Sequence, residues 1–205
     1  MTGTTYSEVI LASGSSARRN MLDAAGVAFR VVPADVDEDA IRRDYAANDP
    51  DGTPTGVSRV LARAKAEEVS LRFPSALVIG ADQVLELGRD IYNKPPDMDA
   101  ARRALRAFSG RTHRLLSTVS LAEGGHETWS LLDAASMSMR DFSDEFLDGY
   151  LARTGDRICA CVGAYELEGL GIQLFESIDG DYFTILGMPL LELLAELRNR
   201  GVVPA

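Results

Sequence analysis

Val9-Ile-Leu-Ala-Ser-Gly-Ser-Ser-Ala-Arg-Arg19 is the stretch from which the fold is read. An apolar run, Val9 to Ala12, breaks at Ser13-Gly14-Ser15-Ser16, after which Met21, Leu22 and Ala25 recur at helical spacing up to Gly26. The pattern predicts strand, tight loop and helix, with hydroxyls and glycine at the turn and Arg18 and Arg19 in the first helical turn. Backbone N–H groups at a helix start suit an anion, and guanidinium groups suit phosphate oxygens. Arginine in a first turn opposes the helix dipole, which a bound anion would offset. An ordinary N-capped helix with solvated arginines uses the same residues, so the stretch by itself leaves both readings open. It is no Walker loop, since no Gly-Lys-Ser/Thr follows.

The composition narrows the partner. A chain of 205 residues can bury a sizeable core, as one large domain or two closely joined lobes. Its 46% hydrophobic and 25% charged content is that of an ordinary globular protein. With 21 Lys+Arg against 31 Asp+Glu the net charge is -10, which argues against a nucleic-acid or membrane-surface binder. A polyanionic ligand would therefore be met by a local cationic cluster or through a divalent metal. No apolar run approaches the ~20 residues of a bilayer span, and Met1 to Ser7 lacks the basic start and apolar core of a secretory signal. Cys159 and Cys161, two apart in an apolar segment, are expected to be reduced core residues of a cytoplasmic protein rather than a zinc site or a disulfide.

Further along, Ala28 to Val32 is expected to form a strand, and Ala34-Asp-Val-Asp-Glu-Asp39 caps a short helix over 40–47. Asn48 to Gly56 is dense in turn formers, and Val57 to Phe73 reads as a long amphipathic helix carrying Lys65 at its polar edge. Ala76-Leu-Val-Ile-Gly-Ala-Asp-Gln-Val-Leu-Glu-Leu87 reads as a buried strand, yet it contains Asp82 and Gln83. A carboxylate amid apolar residues must be paired, hydrogen-bonded or metal-bound, which singles out Asp82. A turn at Gly88-Arg-Asp90 returns Ile91-Tyr92, and Pro95-Pro96 then fixes the backbone after Lys94, in a way that could aim Lys94 back toward Asp82. Helices are expected over 98–108, 143–152 and 188–200, with a hairpin of two long strands, 111–122 and 126–139, joined by Glu123-Gly-Gly125. Ile172 to Ile178 reads as a strand, Gly180 to Gly187 as a crossing back into the core, and the leucines of the last helix as core packing.

In order and spacing these pieces resemble the Maf family of nucleoside triphosphate pyrophosphatases, over nearly the whole chain. The resemblance rests on Leu11-Ala-Ser-Gly-Ser15 with Arg18, Val36-Asp-Glu38, Leu61-Ala-Arg-Ala-Lys-Ala66, Ile79-Gly-Ala-Asp-Gln83 and Lys94-Pro95. Ser109-Gly-Arg-Thr-His113, Gly163-Ala-Tyr165, Glu168-Gly-Leu-Gly171 and Leu186-Gly-Met-Pro189 complete it. It implies an α/β, inosine-triphosphatase-like fold: an elongated mixed sheet flanked by helices, with two lobes around a cleft. It implies hydrolysis of a nucleoside triphosphate to monophosphate and pyrophosphate with a divalent cation, magnesium or manganese, in a homodimer. By the same resemblance Asp82 is the catalytic acid-base residue, activating water directly or through the metal, of which it is also a ligand. Glu38 is a metal ligand or second carboxylate beside it, and Ser13, Arg18, Lys65 and Lys94 hold the triphosphate oxygens.

The family divides into a dTTP/UTP branch and a 7-methyl-GTP branch, and the positions that distinguish them are here Ala17, Gln83 and Glu168. Gln83 and Glu168 resemble the 7-methyl-GTP branch. A carboxylate suits the N1–H and N2–H donors of a cationic methylated guanine, whereas thymine acceptors would be repelled. Ala17 matches neither branch: the pyrimidine branch has arginine there and the methyl-guanosine branch tends to tryptophan, a stacking partner for a cationic ring. A purine preference is the reading that follows, with a dTTP/UTP enzyme or a weakly active nucleotide-binding regulator of cell division as the alternatives.

Overall fold

The computed structural model describes residues 6–49 and 53–204. Two compact units emerge from the packing of the backbone. The first comprises the chain up to Gln83, Ser117–Asp133 and the chain from Tyr182 onward; the second comprises Val84–Leu116 and Ala134–Asp181. The strands form one mixed sheet in the order β2-β1-β3-β5-β6-β7, with β4 paired to β3. These are β1 Val9–Leu11, β2 Arg30–Val31, β3 Leu77–Leu87, β4 Asp90–Tyr92, β5 Thr112–Glu123, β6 His126–Met139 and β7 Phe175–Asp179.

In the first unit β1 lies between β2 and β3 and runs parallel to both, with Leu11 opposite Val31 and Ile79. Parallel neighbours require crossovers, and helices supply them: α1 (Ser16–Ala24) between β1 and β2, and α2 (Glu38–Asn48) with α3 (Pro54–Arg72) between β2 and β3. Alternate strand residues face opposite sides, and here the two sides carry different helices. Leu11, Leu77, Ile79 and Ala81 pack with Met21 and Leu22 of α1 and with Leu190, Leu193 and Leu197 of α7 (Leu190–Asn199). Ile10, Ala12, Ala76 and Val78 pack instead with Val69 of α3. The leucine stripe of the last helix is thus core, except Leu191, which is 56% exposed.

Several boundaries differ from expectation. The helix expected from Val57 begins at Pro54, with Thr53 as N-cap; proline is well suited to a first helical position. Residues 50–52 of the expected loop lie outside the described residues. Only Arg30–Val31 of the expected 28–32 strand pairs in the sheet. Residues 182–185 form a short helix, α6, within the expected crossing. No described helix is long and apolar enough to cross a membrane.

The second unit contains α4 (Met98–Phe108) and α5 (Asp144–Thr154), capped by Asp97 and Ser143. The strand expected from Ile172 begins only at Phe175, because 170–174 is a tight 3-10 turn. A Cβ on Gly171 would meet the backbone of Glu166, so the chain doubles back closely there. The cysteines are free thiols as expected, but neither is fully buried, which corrects their reading as core residues. Burial and the charges of Glu166 and Glu168 push Cys161 up to about 11, against the opposing charge of Lys94.

His113 is buried in this unit against Phe108, Tyr165 and Phe175, with Nε2 2.7 Å from Tyr165 Oη and Nδ1 without a partner. Burial lowers its pKa to about 4. Between the unfolded value near 6.5 and about 4 the unfolded chain binds the extra proton, so stability falls as pH drops through that window. The loss should total about 3 kcal/mol. Urea unfolding between pH 7 and 4 tests this, and a His113→Phe variant should lose that part of the pH dependence.

Candidate active site

The loop after β1 is built as its residues suggest. Ser15 rather than Ser13 caps α1, its Oγ accepting from Arg18 N. Ser13 is buried, and its Oγ accepts from Ser15 N at 3.3 Å and from Arg18 Nη1 at 3.2 Å. Its hydroxyl proton remains to be donated. Among the described residues the N–H groups of Gly14, Ser16 and Ala17 take no protein acceptor, the arrangement an anion at a helix start requires.

Arg18 is the least expected member. Its guanidinium turns inward, Nη1 donating also to Ala81 O at 2.8 Å and Nε to Gly187 O at 2.8 Å. Three of its five N–H groups are thereby committed to the protein, and Nη2 retains two. Arg18 braces the loop to β3 and to the turn after α6, and only its outer nitrogen can meet a ligand.

On the other face of the sheet Asp82 and Glu38 converge on one cation. Lys65 Nζ lies 2.7 Å from Asp82 Oδ1 and 2.7 Å from Glu38 Oε1. Glu38 is in the first turn of α2, capped by Asp37, and its Oε2 is 3.3 Å from Arg42. Lys65 comes from mid-α3, and its third ammonium proton is left for another acceptor. Asp82 is 5% exposed. Its Oδ2 is buried with no hydrogen-bond partner. Burial raises the Asp82 pKa against the pull of Lys65 and Arg18. Glu38 is held below the usual carboxylate range: burial opposes its ionisation, but Lys65 and Arg42 outweigh that.

One residue that the sequence does not single out makes this geometry possible. Gly80 sits two residues before Asp82 on the same side of β3. A Cβ there would meet Ala62 O and come within 2.7 Å of Ala66 N and 2.8 Å of Ala66 Cβ. Ala62 and Ala66 flank Lys65 on α3, so the missing Cβ lets the helix approach closely enough for Lys65 to reach Asp82. A glycine inside an apolar strand facing Ala-rich helix positions was the available signal.

Gln83 does not share the Asp82 side. Its Nε2 lies 3.0 Å from Ser117 Oγ, 3.1 Å from Thr184 O and 3.0 Å from Ile185 O. Ala17 is partly buried in the first turn of α1. Lys94 and Glu168 belong to the second unit, where both are exposed and both bear on the charge environment of Cys161.

No cluster of three or more His, Cys, Asp or Glu side chains suited to a metal exists among the described residues. The oxygens present still fit a hard divalent cation: the unpartnered Asp82 Oδ2 and the partly exposed Glu38 are the donors on offer. Magnesium commonly takes only one or two carboxylates and completes its shell with water and phosphate oxygens.

Comparison with known proteins agrees with this arrangement. Residues 8–200 match the family described as Maf-like protein. A "7-methyl-GTP pyrophosphatase" of Brucella suis biovar 1 is 51% identical over 196 residues, covering 96% of this chain and 98% of that protein. A "Nucleoside triphosphate pyrophosphatase" of Paramagnetospirillum magneticum is 50% identical over 192 residues, covering 94% and 98%. Among solved structures, the Staphylococcus aureus Ham1 protein gives a TM-score of 0.43 at 16% identity, over 65% of this chain and 72% of that one, a distant likeness. With the family match spanning nearly all of it, and with a serine-rich loop and a buried aspartate–lysine pair in place, this chain belongs to the Maf family.

Proposed function

We propose that the protein hydrolyses nucleoside triphosphates at the α-phosphate, giving nucleoside monophosphate and pyrophosphate, with 7-methyl-GTP as its preferred substrate and removal of modified nucleotides as its task. The observation that carries this reading is Asp82: a buried carboxylate with one oxygen on Lys65 and the other unpartnered. The names of the Brucella and Paramagnetospirillum relatives support the reaction class, and the former supports the base.

The chemistry is charge neutralisation and positioning. Water attacks the α-phosphorus, the bond to the bridging oxygen of the leaving pyrophosphate breaks, and the water proton passes to Asp82. Its raised pKa makes it a better base at neutral pH than a solvated aspartate. Lys65, the Ser13 hydroxyl, Arg18 Nη2 and the open N–H groups of the loop donate to phosphate oxygens. A magnesium or manganese ion held by Asp82 and Glu38 supplies further neutralisation of the triphosphate when bound. Lys94 is proposed as a further phosphate ligand. Glu168 is proposed to accept the N1–H and N2–H of methylated guanine, with Ala17 leaving room at the position that differs from both branches. A homodimer is proposed as the assembly, to be checked by sedimentation.

The test is pyrophosphate release from 7-methyl-GTP, GTP, dTTP, UTP and CTP with magnesium and with manganese. Preference for 7-methyl-GTP is expected; preference for dTTP or UTP overturns the base reading, and no turnover with any overturns the reaction. A pH profile adds a sharper check. Asp82 must be ionised to act as base, so kcat/KM falls as pH drops through its raised pKa. Lys65 holds that pKa down, so Lys65→Met should move the acid limb to higher pH as well as lower the rate. An acid limb that stays in place would remove Asp82 from the role of base.

A further inference from the structure

Gln83 neighbours the catalytic aspartate in sequence, but its amide lies on the opposite face of the sheet, closed in by protein acceptors. Ser117 Oγ donates to Thr184 O at 2.7 Å, and Gln83 Nε2 reaches Ser117 Oγ, Thr184 O and Ile185 O. Thr184 Oγ1 in turn donates to Asp133 Oδ2 at 2.6 Å. Residues 182–185 form a single helical turn, too short to hold its own shape. The carbonyls that Gln83 engages stand at the end of that turn, where Thr184 O also accepts from Gly187 N at 3.0 Å. Two residues later comes Gly187, with φ +105, whose carbonyl accepts from Arg18 Nε. A continuous set of bonds thus runs from Gln83 through the end of α6 to Gly187 O, then through Arg18 to Ser13 Oγ and Ala81 O.

We infer that Gln83 is a positioning residue: with Ser117 it fixes the end of α6 so that the Gly187 carbonyl holds Arg18 and the Ser13 loop in the phosphate-binding geometry. The amide nitrogen that fastens α6 has no proton left for a nucleobase acceptor, since its two N–H groups face three protein acceptors, which leaves Gln83 only its carbonyl oxygen for other contacts. This rests on the proposed pyrophosphatase activity for its kinetic arm only.

The experiment compares wild type with Gln83→Met, Ser117→Ala, Arg18→Lys and the Gln83→Met/Arg18→Lys double variant. Pyrophosphate release is measured on 7-methyl-GTP, GTP and UTP, and hydrogen exchange on the Gly187 and Met188 amides. Gln83→Met should lower kcat/KM by about tenfold on all three nucleotides alike and should cost much less in the Arg18→Lys background. Exchange at Gly187 and Met188 should accelerate in Gln83→Met and, to a smaller extent, in Ser117→Ala. Rates that change their order among the bases, or losses that multiply fully in the double variant, would overturn the inference. So would unchanged exchange at Gly187, a readout that needs no turnover. If wild type releases no pyrophosphate from any nucleotide, the proposed activity fails while the exchange result still decides whether Gln83 holds this turn.

Discussion

Replacing Asp82 with asparagine should reduce pyrophosphate release by at least about a thousandfold while leaving the protein folded and able to bind nucleotide. Asparagine keeps the shape and an oxygen that can accept from Lys65 Nζ, now 2.7 Å from Oδ1, but it cannot take a proton from water. It exchanges the buried, unpartnered oxygen for an amide nitrogen of nearly the same size, so packing should suffer little. Circular dichroism, melting and a nucleotide-induced rise in Tm would show the fold and binding intact. Equal turnover by variant and wild type would remove Asp82 from the chemistry. Lys65→Ala is the complementary change. It leaves a buried carboxylate without its cation, which costs about 3–5 kcal/mol, and it should lower both stability and rate. The two variants thus separate chemistry from charge pairing.

Gly80→Ala is expected to have the second large effect, on a residue with no reactive group. The added methyl would press on Ala62 O and on Ala66 N and Cβ. Two of these three contacts are backbone atoms, so neither can swing aside as the end of a flexible side chain does. Either α3 moves off β3 or the strand bends. Overpacking of this kind typically costs 1–3 kcal/mol or about that order, read as a lower urea midpoint. Because Lys65 lies between Ala62 and Ala66, the displaced helix should also carry its ammonium away from Asp82. The variant should therefore be less active than its stability loss explains, with the acid limb of its pH profile shifted upward as in Lys65→Met. A variant with wild-type activity and an unshifted limb would mean that the close approach of α3 does not set the Lys65–Asp82 distance.

The parts of this account that were legible in the sequence share a physical basis. The strand–loop–helix around Ser13 was legible because its signals are local: an apolar run, a glycine-and-hydroxyl break, then helical spacing. Asp82 stood out because a carboxylate in a buried strand is costly without a partner, and the partner, Lys65, is where the amphipathic helix places it. The inward turn of Arg18 was not legible, since its acceptors Ala81 O and Gly187 O are brought to it only by the folded chain. The tight turn at 170–174 escaped for the same reason: it depends on Gly171 lying against the Glu166 backbone. Gln83 is a different case. Strand alternation places it opposite Asp82, so its side was readable, but the α6 carbonyls that occupy its amide were not.

The most direct test of the central claim follows the oxygen of the attacking water. Hydrolysis of 7-methyl-GTP in ¹⁸O-labelled water, with products analysed by mass spectrometry, should place the label in the nucleoside monophosphate and none in the pyrophosphate. Label in pyrophosphate or in inorganic phosphate would mean attack at another phosphorus, and the site described around Asp82 would then not be an α-phosphate hydrolase.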